Sequence, residues 1–195
     1  MIFTPTTLPQ VFLVDLEKHP DERGFFGRLF CEREFARAGL PSRMVQASVS
    51  WNRKRGTLRG LHFQWPPSRE AKLVRCIRGS LIDVLLDLRP RSATRLQHLA
   101  VRLDAEERRA VCIPPGVAHG FQTLEDDTEI LYQMSDYYAP ELSDGVRWND
   151  PAFAIEWPVS PVIINDRDAG YLDYDAERFR HRFAAAADTA TGVAD

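Results

Sequence analysis

The sequence has no C-x-x-C pair, no His-x-His, no H-E-x-x-H and no glycine-rich loop of the G-x-G-x-x-G or G-x-x-x-x-G-K type. Each absence removes a class of chemistry. Cys31, Cys76 and Cys112 are odd in number and widely separated, so they read as buried free thiols rather than a zinc site or a redox pair. Without a histidine pair or a zincin helix no metal is expected, and without a phosphate-cradling loop any nucleotide must be held by side chains. A G-x-S-x-G elbow is also missing, which leaves nucleophilic catalysis poorly supported.

No apolar run approaches ~18 residues, and the N-terminal MIFTPTTLPQVFLVDLEKHPDERG has no basic region leading into an apolar one. The expectations are no membrane contact and a cytoplasmic location. The 25 Lys and Arg stand against 28 Asp and Glu, so no basic field exists for nucleic acid. Any anion site must be local.

What is present is a 195-residue chain with 44% hydrophobic and 27% charged residues, enough for one globular core. A single domain is expected over residues 1–187, followed by a frayed tail at 188–195. Short β-rich segments bounded by Gly, Pro, Asn and Asp recur through the middle of the chain. Leu81–Arg89 alternates Ile82, Val84, Leu86 and Leu88 against Asp83, Leu85, Asp87 and Arg89, which predicts a strand with one apolar and one partly polar face. Lys72–Arg78 precedes it, and Gly79-Ser80 predicts a hairpin between the two.

Further strands are read at His98–Leu103 and at Arg109–Ile113, the latter stopped by Pro114-Pro115-Gly116. Gly120–Thr123 and Thr128–Ser135 are read as another pair across an acidic connector, with Ile130, Tyr132 and Met134 on one face. Helices are expected at Glu32–Ala38 and Asp175–Ala187. With no βαβ alternation, a sandwich, a jelly roll or a barrel remains.

Among the five histidines, His62 and His119 keep unusual company. His62 lies in LRGLHFQ after a basic turn, and His119 in PPGVAHGF. A histidine in a β-protein is more often structural than catalytic, so context must decide. The proton-transfer groups are His62, Lys72, Asp83, Tyr132 and Asp168, with Arg23, Arg59 and His119 as anion contacts.

Six ordered motifs supply that context: DERGFF at 21–26, RGLHFQ at 59–64, KLVR at 72–75, PGVAHGF at 115–121, YQMSDYYAP at 132–140 and WNDP at 148–151. In order and spacing they resemble the dTDP-4-dehydrorhamnose 3,5-epimerase family over roughly residues 3–175. The resemblance implies an all-β, cupin-like jelly roll (double-stranded β-helix) with short flanking helices. It also implies a cofactor-independent isomerase that acts on a nucleotide-diphosphate 4-keto-6-deoxy sugar. His62 would be the general base, Asp168 its carboxylate partner and Tyr132 the acid on the opposite face. Lys72 would sit near the ketone oxygen with Asp83 as a neighbouring carboxylate.

Gln46, Arg59 and His119 would line the phosphate and sugar region, and Tyr137 or Tyr138 would stack on the base. Arg23 and Phe26 would reach the site of a neighbouring subunit in a homodimer. Three positions depart from the family pattern: Arg28 replaces a glutamate near the nucleotide, Ser48 replaces an amide at the substrate, and Asn165 replaces a serine. The other readings are a single-carbon epimerase, a 3,4-ketoisomerase and a non-catalytic sugar-nucleotide-binding module.

Overall fold

The computed structural model describes residues 1–160 and 162–191. The chain runs β1 (Ile2–Pro5), β2 (Phe12–Asp15), β3 (His19–Asp21), β4 (Gly24–Phe26), α1 (Glu32–Arg37), β5 (Gln46–Asn52), β6 (Leu58–Gln64) and β7 (Lys72–Arg78). It continues through β8 (Ser80–Asp87), β9 (His98–Asp104), β10 (Ala110–Ile113), β11 (Val117–Thr123), β12 (Thr128–Met134), β13 (Ser143–Gly145), α2 (Asp166–Ala169) and α3 (Ala176–Thr191).

Two antiparallel sheets make the jelly roll, ordered β1-β2-β10-β7-β12-β5 and β13-β6-β11-β8-β9, while β3 and β4 form a separate hairpin. Period-two alternation explains the layer between the sheets. Leu81, Leu85 and Phe121 of the smaller sheet meet Val74, Cys76, Val111 and Ile130 of the larger one. The outer faces are covered too. Phe35 of α1 packs on Val14, Leu73 and Cys112, and Phe179 of α3 packs with Phe63, Trp65, Val84 and Leu86. Each such buried side chain contributes about 1.5–3 kcal/mol of apolar transfer.

The second face of β8 is partly polar, as its alternation predicts, and it is also buried: Asp83 and Asp87 are both 0% exposed. Asp83 points into the interior and pairs with His119, while Asp87 is ringed by Arg89, Ser92 and Thr94. Buried carboxylates survive only when paired in this way.

The two expected strand pairs do not form. Gly79, with φ 74°, passes the chain from β7 in one sheet to β8 in the other, so they share no ladder. The acidic connector at 124–127 likewise carries β11 in the smaller sheet across to β12 in the larger. A tight turn specifies reversal, whereas the partner is chosen by long-range packing. At the C-terminus α3 extends to Thr191, and residues 192–195 of the expected tail lie outside the described residues.

Candidate active site

His62 stands on β6, where it is the register partner of His119 on β11. Beneath it the strands approach closely. Gly60 has φ 109°, and a Cβ there would stand 2.5 Å from Gly120 Cα and 2.7 Å from the His119 carbonyl oxygen. Only glycine satisfies both conditions. The Gly60 N–H is thereby free to donate to Asp168 Oδ2 at 3.0 Å, while Asp168 Oδ1 lies 2.8 Å from His62 Nε2.

Asp168 comes from far along the chain. Ile163 bridges to Thr57 and exchanges backbone hydrogen bonds with Gly56 and Leu58, which brings the following residues beside β6. Asn165 then caps α2, its Oδ1 accepting the Asp168 N–H at 2.7 Å. Burial pushes the Asp168 carboxyl upward. The His62 hydrogen bond and charge, the Gly60 N–H and the Arg167 charge outweigh that and hold it below the usual carboxylate range. An ionised Asp168 fixes the proton on His62 Nε2 and leaves Nδ1 as the basic nitrogen. The His62 side chain is 36% exposed, open to a ligand from one side, and Tyr171 packs its ring edgewise against it at 6.0 Å.

His62 opens into a cavity of about 420 Å³ lined by Gln46, Ser48, Glu70, Lys72, Tyr132 and Arg167 among others. Larger depressions of about 640 Å³ and 700 Å³ lie elsewhere and contain none of these groups. Tyr132 projects from β12 in the sheet opposite His62. Burial drives its phenol well above the ordinary tyrosine range; a Ser50 hydrogen bond and the Arg59 charge oppose the rise and the Asp83 charge adds to it. The phenol therefore keeps its proton at neutral pH, as an acid must.

Of the expected site residues, His62, Lys72, Tyr132, Gln46, Ser48 and Tyr138 line this cavity. Gln46 Oε1 accepts the Tyr138 N–H at 2.8 Å and so fixes the loop that carries the aromatic. Tyr137 is exposed and does not line it. Asp83 pairs with His119 (Oδ1 to Nδ1, 3.2 Å), and the carboxylate paired with Lys72 is Glu70. Neither Asp83 nor His119 lines the cavity, nor does Arg59, whose Nε donates to Asn52 Oδ1 at 2.8 Å.

Arg23 and Phe26 sit on the exposed β3–β4 hairpin, with Arg23 paired to Asp21. Arg28 pairs with Glu34 beside a separate small cavity that Phe26 also lines. Sequence reasoning missed Glu70, Arg167 and Tyr171. Glu70 carried a usable signal, since it lies two residues before Lys72 and extended chain puts such residues on one face.

A sequence model described as dTDP-4-dehydrorhamnose 3,5-epimerase matches residues 5–175. A dTDP-4-dehydrorhamnose 3,5-epimerase of Methanothermobacter thermautotrophicus is 41% identical over 172 residues, covering 87% of this chain and 92% of that one. The crystal structure of dTDP-4-dehydrorhamnose 3,5-epimerase from Elizabethkingia anophelis superposes with a TM-score of 0.86 at 31% identity, covering 89% and 96%. A 3'-monoepimerase from Streptomyces bikiniensis, solved in complex with dTDP-quinovose, gives a TM-score of 0.85 at 30% identity and covers 96% of each chain. The paired histidine in its cavity, the jelly roll around it and these likenesses agree: the chain is an epimerase and belongs to the dTDP-4-dehydrorhamnose 3,5-epimerase family.

Proposed function

We propose that this protein inverts carbon 3, carbon 5 or both in a dTDP-linked 4-keto-6-deoxyhexose by proton transfer through an enolate. The observation that carries the reading is one cavity with His62, backed by Asp168 of α2, on one sheet and the Tyr132 phenol on the other. A hydrogen beside a ketone is acidic because the carbanion delocalises onto oxygen. His62 Nδ1 removes it, and Asp168 stabilises the imidazolium that forms. The Lys72 ammonium meets the charge growing on the ketone oxygen, an effect of about 3–4 kcal/mol for one well-placed donor. Tyr132 returns a proton from the opposite face, which is what inversion requires. The substrate's own ketone supplies the acidification, so the scheme calls for no redox group.

Incubation with dTDP-, CDP- and GDP-linked 4-keto-6-deoxyhexoses in heavy water, read by NMR, tests activity, nucleotide and position together. Deuterium at carbons 3 and 5 is expected with the dTDP sugar, and no exchange with any of the three would overturn the reading. The likeness to a 3'-monoepimerase favours a second reading, inversion at one carbon only. Deuterium confined to one position would select it.

The same proposal includes a homodimer in the cytoplasm. Its support is the exposed β3–β4 hairpin, where Phe25 and Phe26 face solvent in one chain, and three free cysteines suited to a reducing compartment. If Arg23 completes a neighbour's site, mixing Arg23→Ala with His62→Ala protein restores activity in hybrid dimers. Failure of the mixture to exceed its components would remove Arg23 from the site.

A further inference from the structure

Three bases in this region each have a carboxylate: Asp168 for His62, Asp83 for His119 and Glu70 for Lys72. In the third pair Lys72 already has a part in the proposed reaction, and Glu70 has none so far. Glu70 lines the cavity, its side chain is only 7% exposed, and its carboxylate meets Lys72 Nζ directly. A buried carboxylate at this location costs solvation, and nothing in the packing of the two sheets requires one.

The backbone between the two residues is pinned. The Ala71 N–H donates to Ser135 Oγ at 2.8 Å, the Ser135 N–H donates to the Ala71 carbonyl at 3.0 Å, and the Glu70 N–H donates to Ser68 Oγ at 3.2 Å. Glu70 is thus set in place by contacts outside the cavity, whereas Lys72 has a four-carbon stem free to adopt many rotamers. An ammonium has three donors; Glu70 engages one and leaves two to point inward.

We propose that Glu70 is a positioning residue that holds the Lys72 ammonium where the enolate oxygen develops charge. The inference rests on the proposed function and deepens it. Preorganised donors stabilise a transition state without reorganising at the moment of reaction, so a wandering lysine loses rate more than binding.

The test is steady-state epimerisation and solvent-deuterium exchange for wild type, Glu70→Ala and Glu70→Gln, with folding checked by thermal melts and dTDP affinity by calorimetry. Glu70→Ala is expected to lower kcat at least tenfold with KM within threefold. Glu70→Gln keeps an acceptor for the ammonium and is expected to turn over at least fivefold faster than Glu70→Ala. Three results overturn the proposal: kcat of Glu70→Ala within threefold of wild type, a loss carried by KM, or a glutamine variant no better than the alanine one. Exchange that is absent in the wild type strikes the functional reading instead, so the two failures are distinguishable.

Discussion

His62 and His119 face each other across the β6–β11 pairing, and each has its own carboxylate, Asp168 for the first and Asp83 for the second. Register partners on adjacent strands project to one side of the sheet. Only His62 reaches the cavity; His119 is 5% exposed and lies against Tyr132 with ring centroids 6.1 Å apart. The two pairs therefore divide the site into an open base and a closed support beneath the phenol.

Replacing His62 by alanine removes the base, and exchange at every carbon beside the ketone is expected to fall by about 10²–10⁴-fold. Asp168→Asn preserves shape but removes the charge that stabilises the imidazolium, with a loss of about a hundredfold or more expected. Proton-exchange rates by NMR check both. Near-normal exchange in His62→Ala would give the base role to another residue.

Tyr132→Phe separates abstraction from inversion. The base still works, so deuterium enters the substrate, whereas completed inversion drops by about a hundredfold. Comparing exchange with chiral product analysis measures the ratio. Equal loss of both would take Tyr132 out of the acid role.

Gly60→Ala forces a methyl group against Gly120 Cα and the His119 carbonyl from a positive-φ backbone. A stability loss of about 3 kcal/mol is expected from strain and overpacking together. Activity should fall as well, because the Gly60 N–H is a hydrogen-bond partner of Asp168. Urea denaturation measures the first effect, and a variant as stable as wild type would mean that the two strands can separate at no cost.

Burial raises the Asp87 carboxyl, but hydrogen bonds from Arg89, Ser92 and Thr94 outweigh it and leave it below the usual range. A depressed carboxylate stabilises the fold fully above its unfolded pKa of about 4 and loses that contribution as pH falls through its folded value. Asp87→Asn is expected to cost about 3 kcal/mol at pH 7. The gap from wild type should narrow below about pH 4. Denaturation at pH 7 and pH 3 checks the sign, and a gap that widens in acid contradicts it.

Local pattern carried much of this molecule. Lys72–Arg78 is a strand with those bounds, His98 begins β9, and Glu32 begins α1, because alternation and helix propensity act within a few residues. Pairing was not legible. Gly79 and the connector at 124–127 look like hairpin turns, yet each crosses between sheets, a choice made by which apolar faces meet in the core. In the site, motif order singled out His62, Lys72, Tyr132 and Asp168, and the fold brings the first three to one cavity with Asp168 against His62. Asp83 was read as an inward carboxylate and is buried; that His119 pairs with it, and Glu70 with Lys72, is visible only in the fold. Arg167 and Tyr171 have no periodic signal; they enter through the excursion that delivers Asp168.

That excursion has a consequence for how the enzyme comes into being. Among the described residues every strand of both sheets is complete by Gly145, whereas the carboxylate that pairs with His62 is twenty-odd residues further on, in a one-turn helix docked by Asn165. During synthesis both sheets emerge before this carboxylate does, so the imidazole lacks its partner until the segment around residue 168 has followed them. Shape and reactivity are thus acquired at separate moments, and damage confined to the segment around residues 163–168 would yield a well-folded protein with a disarmed base.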